Sequence, residues 1–282
     1  MDVDRGGGAE RTDPDEARGS HVSTTRAIAA YGVRKRFGHV EALRGASLTV
    51  DLGEIVVLVG DNGAGKSTLM KVMCGALAPD GGEVLLGDGS PVEAGRFDAG
   101  TAGVGVVYQD LALAPHLSVL ENIYLGHEVL SGNRPRWLGV LNRRAMGLEA
   151  KEALKRLGIN LPSVEVPISL LSGGQRQAVA IARAVKWARS VVLLDEPTAS
   201  LGARQTAIVV RLIQSVAGQG LGVLVISHDM ERMTKVADRI VVMRRGEVAA
   251  DFKGTEATIT QVVEAMLGAS QAPDVPEGSP IP

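Results

Sequence analysis

One cysteine, Cys74, stands in 282 residues, so no intrachain disulfide can form and a reducing compartment fits best. Aromatic residues make up 3% of the chain. No apolar run approaches the roughly 18 residues that would argue for a membrane span. Neither sign of charge dominates: 30 Lys and Arg stand against 32 Asp and Glu, a net of -2. The whole chain therefore carries no basic signature for nucleic acid or anionic lipid, which leaves only a local patch open. What is plentiful is glycine, with 35 residues, about 12% where ~7% is usual. That surplus points to close backbone approaches and turns, as in a phosphate-handling α/β protein. Hydrophobic residues at 45% and charged residues at 22% are ordinary globular usage, and the length suits one or two domains.

The two ends have little to bury. Residues 1–26 are polar, glycine-rich and acidic, and residues 269–282 are proline-rich; both are expected to be disordered, because burial cannot offset their ordering entropy. The first segment has no apolar centre and so does not read as a secretory signal. The folded part is expected over 27–268.

Within it, five short Val- and Ile-rich runs read as buried strands: 55–59, 104–108, 191–194, 223–226 and 240–243. They show no polar alternation, as expected of parallel strands covered on both faces. Helical patterns fall between them at 67–75, 173–188 and 204–217, and this alternation predicts an α/β fold with a mostly parallel sheet. Segments 47–50 and 83–86 have a different rhythm around turn residues and predict an antiparallel flank. From about 110 to 175 the strand runs stop and helical patterns take over, notably at 143–157, which predicts an inserted helical subdomain.

Gly60-Asp61-Asn62-Gly63-Ala64-Gly65-Lys66-Ser67 fits G-x-x-x-x-G-K-[ST], follows a buried strand and precedes a helix. Its glycines let backbone N–H groups converge on phosphate oxygens at the positive end of the helix, which continues through Thr68. Lys66 can reach β- and γ-phosphates, and the Ser67 hydroxyl can hold Mg²⁺. The bland alternative is a glycine turn with a surface lysine. Val191 to Leu194 runs into Asp195-Glu196-Pro197, a carboxylate pair at a parallel strand's C-terminal end, where such folds place ligands. Asp195 suits Mg²⁺ and Glu196 could polarise a water; the alternative is an acidic helix start that favours the dipole.

Leu171-Ser172-Gly173-Gly174-Gln175 opens a helix with Ser172 as its N-cap, a second anion-ready helix start in a chain that already has one. This LSGGQ string resembles the signature of the ATP-binding-cassette (ABC) ATPases, a likeness covering about 27–268. The resemblance implies the P-loop NTPase-type fold of that family, with an antiparallel β flank and a helical subdomain at about 110–175. It implies Phe37 as the aromatic stacking on adenine, with Tyr31 a weaker candidate and a core phenylalanine the alternative. It also implies Gln109 touching Mg²⁺ and water, and His228 contacting the γ-phosphate. One position departs from the family: Gly202 follows Pro197-Thr198-Ala199-Ser200-Leu201 where most cassettes carry an aspartate that links the two nucleotide sites.

Strings 107–109, 119–126 and 199–202 resemble ATPases of bacterial monosaccharide importers of the single-cassette fructose and ribose types. The resemblance implies ATP and Mg²⁺ as cofactors and a homodimer whose subunits share each ATP. It implies two membrane permease subunits, a periplasmic or extracellular sugar-binding protein reached through them, and a peripheral place on the cytoplasmic face of the inner membrane. No nucleic-acid partner is expected. Leu113 and His116, flanking Pro115, are expected at the permease-facing surface. An exporter ATPase is the competing reading. A chromosome or repair ATPase would need a long coiled-coil insertion, and a GTPase would need an Asn-Lys-x-Asp string; the sequence has neither.

Overall fold

The computed structural model describes residues 25–95, 103–131, 139–254 and 256–268. The two terminal segments expected to be disordered, and residues 132–138 of the expected helical subdomain, lie outside the described residues apart from Thr25 and Arg26. Strands β1 (Arg26–Phe37) and β2 (Val40–Asp51) form an antiparallel hairpin turned at Gly38 and His39. β3 (Ile55–Val59) leads through the glycine loop into α1 (Lys66–Met73). β4 (Gly81–Leu86) returns to the free edge of β1 and completes a three-stranded sheet ordered β2-β1-β4.

After β5 (Val104–Val107) come α2 (Val119–Tyr124), α3 (Arg143–Arg156) and a 3₁₀ turn, Ile168–Leu170. α4 (Gly173–Trp187), β6 (Val191–Asp195), α5 (Ala203–Gly218) and β7 (Gly222–Ile226) follow. The short α6 (Met230–Met233), β8 (Arg239–Arg244), β9 (Glu247–Lys253) and α7 (Ile259–Leu267) end the described chain. The second sheet has the order β5-β6-β7-β3-β8-β9, parallel except for β9 against β8.

All five residues of β3, β6 and β7 are buried, the pattern of strands covered on both faces. Against one face pack α4, α5 and the helical region, with Val179, Ile181, Val209 and Ile213 in the shared core. Against the other pack α1 and the antiparallel sheet, through Leu69, Met70, Ile28 and Leu58.

The sequence patterns missed two strands and shortened a third. β1 has only the short, alanine-rich run Ala27 to Ala30 before the charged stretch Arg34-Lys35-Arg36, and β9 alternates exposed and half-buried residues, so neither shows a Val- and Ile-rich run. β2 begins at Val40 and not near residue 47. Conversely, Tyr108 lies beyond β5, which ends at Val107. The helical region also holds a bridge between Leu130 and Leu141. It is tied to α4 by Lys186, whose Nζ lies 2.8 Å from Glu149 Oε1 and over the Tyr124 ring at 4.7 Å.

Candidate functional site

Four neighbouring parallel strands end at one place: β3 at the glycine loop, β5 just before Gln109, β6 at Asp195 and β7 just before His228. An open cleft of about 430 Å³ lies there, and its walls hold Phe37, the loop from Asn62 to Thr68, Gln109, Asp195, Glu196 and His228. The crevice outside the carboxyl ends of parallel strands is the expected ligand position in such a sheet.

The loop's shape depends on two glycines. Gly60 has φ 148, and a Cβ there would lie 2.2 Å from the Met243 carbonyl oxygen; Gly65 has φ 103, and its Cβ would meet the Ala42 carbonyl at 2.6 Å. Any side chain at either position would force the backbone apart. Gly65 is also the residue before α1, and no side chain caps that helix, an arrangement that leaves its first N–H groups suited to an anion. The Lys66 ammonium donates to the carbonyls of Gly60 at 2.7 Å and Asp61 at 3.0 Å. Burial pushes its pKa down against the opposing pull of Glu196, Asp195 and Asp61.

Asp195 is buried at the end of β6, and burial pushes its carboxyl pKa up, while a hydrogen bond from Ser67 and the charges of Lys71 and Lys66 oppose the shift. Ser67 and Asp195 both line the cleft. Glu196 follows with φ 53, a conformation that costs a non-glycine residue ~1–2 kcal/mol. Its N–H donates to the Ile226 carbonyl at 2.9 Å, and its own carbonyl accepts from Ala199 at 3.1 Å. Those bonds hold the turn that swings the carboxylate to His228, whose Nε2 lies 2.8 Å from Glu196 Oε1.

Phe37 is 50% exposed at the tip of the β1–β2 hairpin, with Lys35 Nζ 5.8 Å from its ring centroid. An exposed ring at the cleft rules out the core-phenylalanine alternative. Tyr31 is not at the cleft; its hydroxyl accepts from Arg26 at 3.5 Å farther along β1. Val40, Glu41 and Ala42 also line the cleft, and the sequence reading missed them. Their signal was the two-residue turn at Gly38-His39, which sets Val40 opposite Phe37. Asp61, with Asn62, Gly63 and Ala64, borders a separate concavity against Arg244 and Arg245.

The Ser172–Gln175 segment is elsewhere. Ser172 Oγ accepts from the Gln175 N–H at 3.3 Å and Gln175 Oε1 accepts from the Ser172 N–H at 2.9 Å, a reciprocal capping box at the start of α4. Ser172, Gly174 and Gln175 border a larger cleft of about 810 Å³ between α3, α4 and α5, and none of them lines the cleft at the glycine loop. Gly173 and Gly174 pack against Leu201 and Gln205. Gly202 caps α5 with φ -68 and open space at its Cβ position, so an aspartate would fit there without strain.

Leu113 differs from expectation. It is half-buried and packs on the helical core, whereas Pro115 and His116 are exposed. Among the described residues no helix is long and apolar enough to cross a membrane.

A family model described as "ABC transporter" matches residues 43–199. The chain is 40% identical over 249 residues to the fructose import ATP-binding protein FrcA of Rhizobium meliloti, covering 87% of this chain and 95% of that protein. It is 41% identical over 234 residues to the xylose/arabinose import ATP-binding protein XylG of Sulfolobus acidocaldarius, covering 83% and 91%. Among solved structures, the dimeric post-hydrolysis state of the ATP-binding cassette MJ0796 with ADP and Pi matches with a TM-score of 0.65. That match is 28% identical and covers 80% of this chain and 98% of that one. With more than half its length matched, and relatives this similar over nearly their whole length, the chain belongs to the ABC transporter family of ATP-binding cassettes.

Proposed function

We propose that the chain is the ATP-hydrolysing subunit of an importer for a monosaccharide. The observation that carries this is the single cleft at four strand ends that gathers a phosphate loop, an acidic pair, a histidine and an exposed aromatic ring. The fructose and xylose/arabinose relatives supply the substrate class, since both names describe monosaccharide import.

In this reading Phe37 stacks on adenine, the loop from Gly60 to Thr68 wraps the phosphates, and Lys66 leaves its two carbonyls to neutralise the β- and γ-phosphates. The donors near the γ-phosphate suit Mg²⁺. Ser67 hydroxyl, Asp195 carboxylate and the Gln109 amide offer hard oxygens and line the same cleft. Bound Mg²⁺ would neutralise developing phosphate charge. Glu196 holds the attacking water and takes its proton, and His228, through its bond to Glu196, orients that carboxylate and reaches the γ-phosphate.

The signature segment Ser172–Gln175 lies outside that cleft, so a second copy must bring its own to complete the site. A head-to-tail homodimer does this twice by symmetry, and MJ0796 has a dimeric structure. The energy of closure passes to two permease subunits at the membrane's cytoplasmic face, which receive sugar from a periplasmic or extracellular binding protein. The exposed Pro115 and His116 after Gln109, with exposed Leu170 beside Ser169, whose N–H bonds the Pro115 carbonyl, make the docking face. Co-expression with a candidate permease, copurification and reconstitution in vesicles test this. ATP-dependent monosaccharide uptake is the expected result, and ATP-dependent efflux would overturn the direction.

A further inference from the structure

We propose that Arg183 is a positioning residue for Gln109, clamping the turn that follows it in a conformation the turn's own residues disfavour. The proposal rests on the reading of Gln109 as a group at the Mg²⁺–ATP site.

Leu111 and Ala112 have φ 60 and 45, and they are the only adjacent pair of non-glycine residues in the left-handed region among the described residues. Neither side chain favours that region, so the turn needs an external hold. Arg183, on the helix that begins with the signature segment, provides it. Its Nη1 donates to the Ala112 carbonyl at 2.7 Å and its Nη2 to the Leu111 carbonyl at 2.8 Å. Two parallel donors from one rigid plane fix both peptide orientations together, which a single ammonium cannot do. Arg183 is half-buried, and burial lowers its pKa against the opposing charge of Asp110; the two carbonyls replace part of the water its guanidinium gives up.

The clamp acts where Gln109 needs it. The Leu111 N–H closes a turn onto the Tyr108 carbonyl at 2.9 Å, so residues 108 to 111 form one loop with Gln109 inside. The far end of the segment has a separate anchor. The buried Asn122 accepts from the Ala114 N–H at 2.8 Å and donates to the carbonyls of Ala114 and Ser118. Asn122 thus fixes 114 to 118, and Arg183 fixes the two residues nearest Gln109.

The test compares Arg183→Met, Gln109→Ala, and Arg183→Met combined with Leu111→Gly and Ala112→Gly. Two quantities are read: amide hydrogen exchange at residues 110–114 without nucleotide, and the Mg²⁺ concentration for half-maximal ATP hydrolysis. Arg183→Met should speed exchange at Leu111 and raise the Mg²⁺ requirement, by about 5- to 30-fold if the clamp is worth one or two kcal/mol. The glycine pair should lower that requirement again, because glycine enters the left-handed region at no steric cost. Should Arg183→Met fail to fold by circular dichroism, Arg183→Lys, with its single donor point, carries the test and should show a smaller shift in the same direction. A folded Arg183 variant with the wild-type Mg²⁺ requirement, or a shift the glycine pair leaves untouched, overturns the clamp. If Gln109→Ala itself leaves the Mg²⁺ requirement unchanged, the reading of Gln109 is wrong and the proposal falls with it.

Discussion

Glu196 Oε1 lies 2.8 Å from His228 Nε2, and Glu196 makes this contact from a backbone held at φ 53. The backbone conformation, the Ile226 carbonyl that accepts the Glu196 N–H and the histidine together aim one carboxylate into the cleft. Strain of this kind persists where surrounding structure over-determines it, and it concentrates at functional sites.

Glu196→Gln keeps the shape and removes the base. Hydrolysis should fall by on the order of 10²-fold or more. ATP binding should persist, because an amide still fits beside His228 and lessens the negative charge near the γ-phosphate. Single-turnover hydrolysis and equilibrium nucleotide binding measure the two effects separately; lost binding or unchanged turnover would contradict the role.

Asp195→Asn separates stability from function. Burial raises the Asp195 pKa from its ordinary 3.8, so in the nucleotide-free protein the carboxylate form is disfavoured relative to the unfolded chain. That penalty is absent at pH below 3.8 and grows as pH rises through the raised value. At neutral pH without Mg²⁺ or nucleotide the variant should therefore melt higher than wild type, while its Mg²⁺-dependent hydrolysis is lost. A lower melting temperature across that range would place the net effect of Ser67, Lys71 and Lys66 above the burial cost.

Gly202→Asp adds a side-chain cap to α5 at a position whose φ of -68 and open Cβ space accept it. Helix stability should rise by about 0.5 kcal/mol, read as a shift in denaturation midpoint. Cooperativity between the two ATP sites should rise if the missing aspartate is what weakens it.

His116→Glu, in the exposed turn after Pro115, should reduce transport in the reconstituted complex while ATP hydrolysis by the isolated protein stays within about twofold. Equal loss of both activities would mean the turn serves packing and not docking.

The strands themselves were legible where they are buried on both faces: β3, β6 and β7 carry unbroken runs of Val, Ile and Leu, whereas the order β5-β6-β7-β3-β8-β9 has no local signature. β1 and β9 were not, since the apolar start of β1 is mostly alanine and its second half is charged, and β9 alternates exposed and half-buried residues. Within the cleft, the glycine loop and the acidic pair were readable because each has a short signature, as does the capping-box serine that lies outside it. Val40 and Glu41 enter the cleft only because a hairpin folds them beside Phe37. Arg183 reaches Leu111 and Ala112 across 72 and 71 residues, a relation that no local pattern encodes. Leu113 was placed at the surface by its neighbourhood to Pro115, yet core packing takes it inward.

The separation of Ser172 from the Lys66 cleft within one chain makes the shared-site homodimer the central claim, and a mixture of two inactive variants tests it most directly. Lys66→Ala removes the ammonium that balances the phosphates' negative charge, and Ser172→Arg blocks the signature helix start at a loss of about 1 kcal/mol of capping. Either homodimer has both sites damaged. A mixed dimer gathers both defects into one site and leaves the other with an intact Lys66 and an intact Ser172. With mixed dimers verified by mass, tight ATP binding should return at about one site per mixed dimer. If verified mixed dimers bind ATP no better than either variant alone, the two-chain site is contradicted.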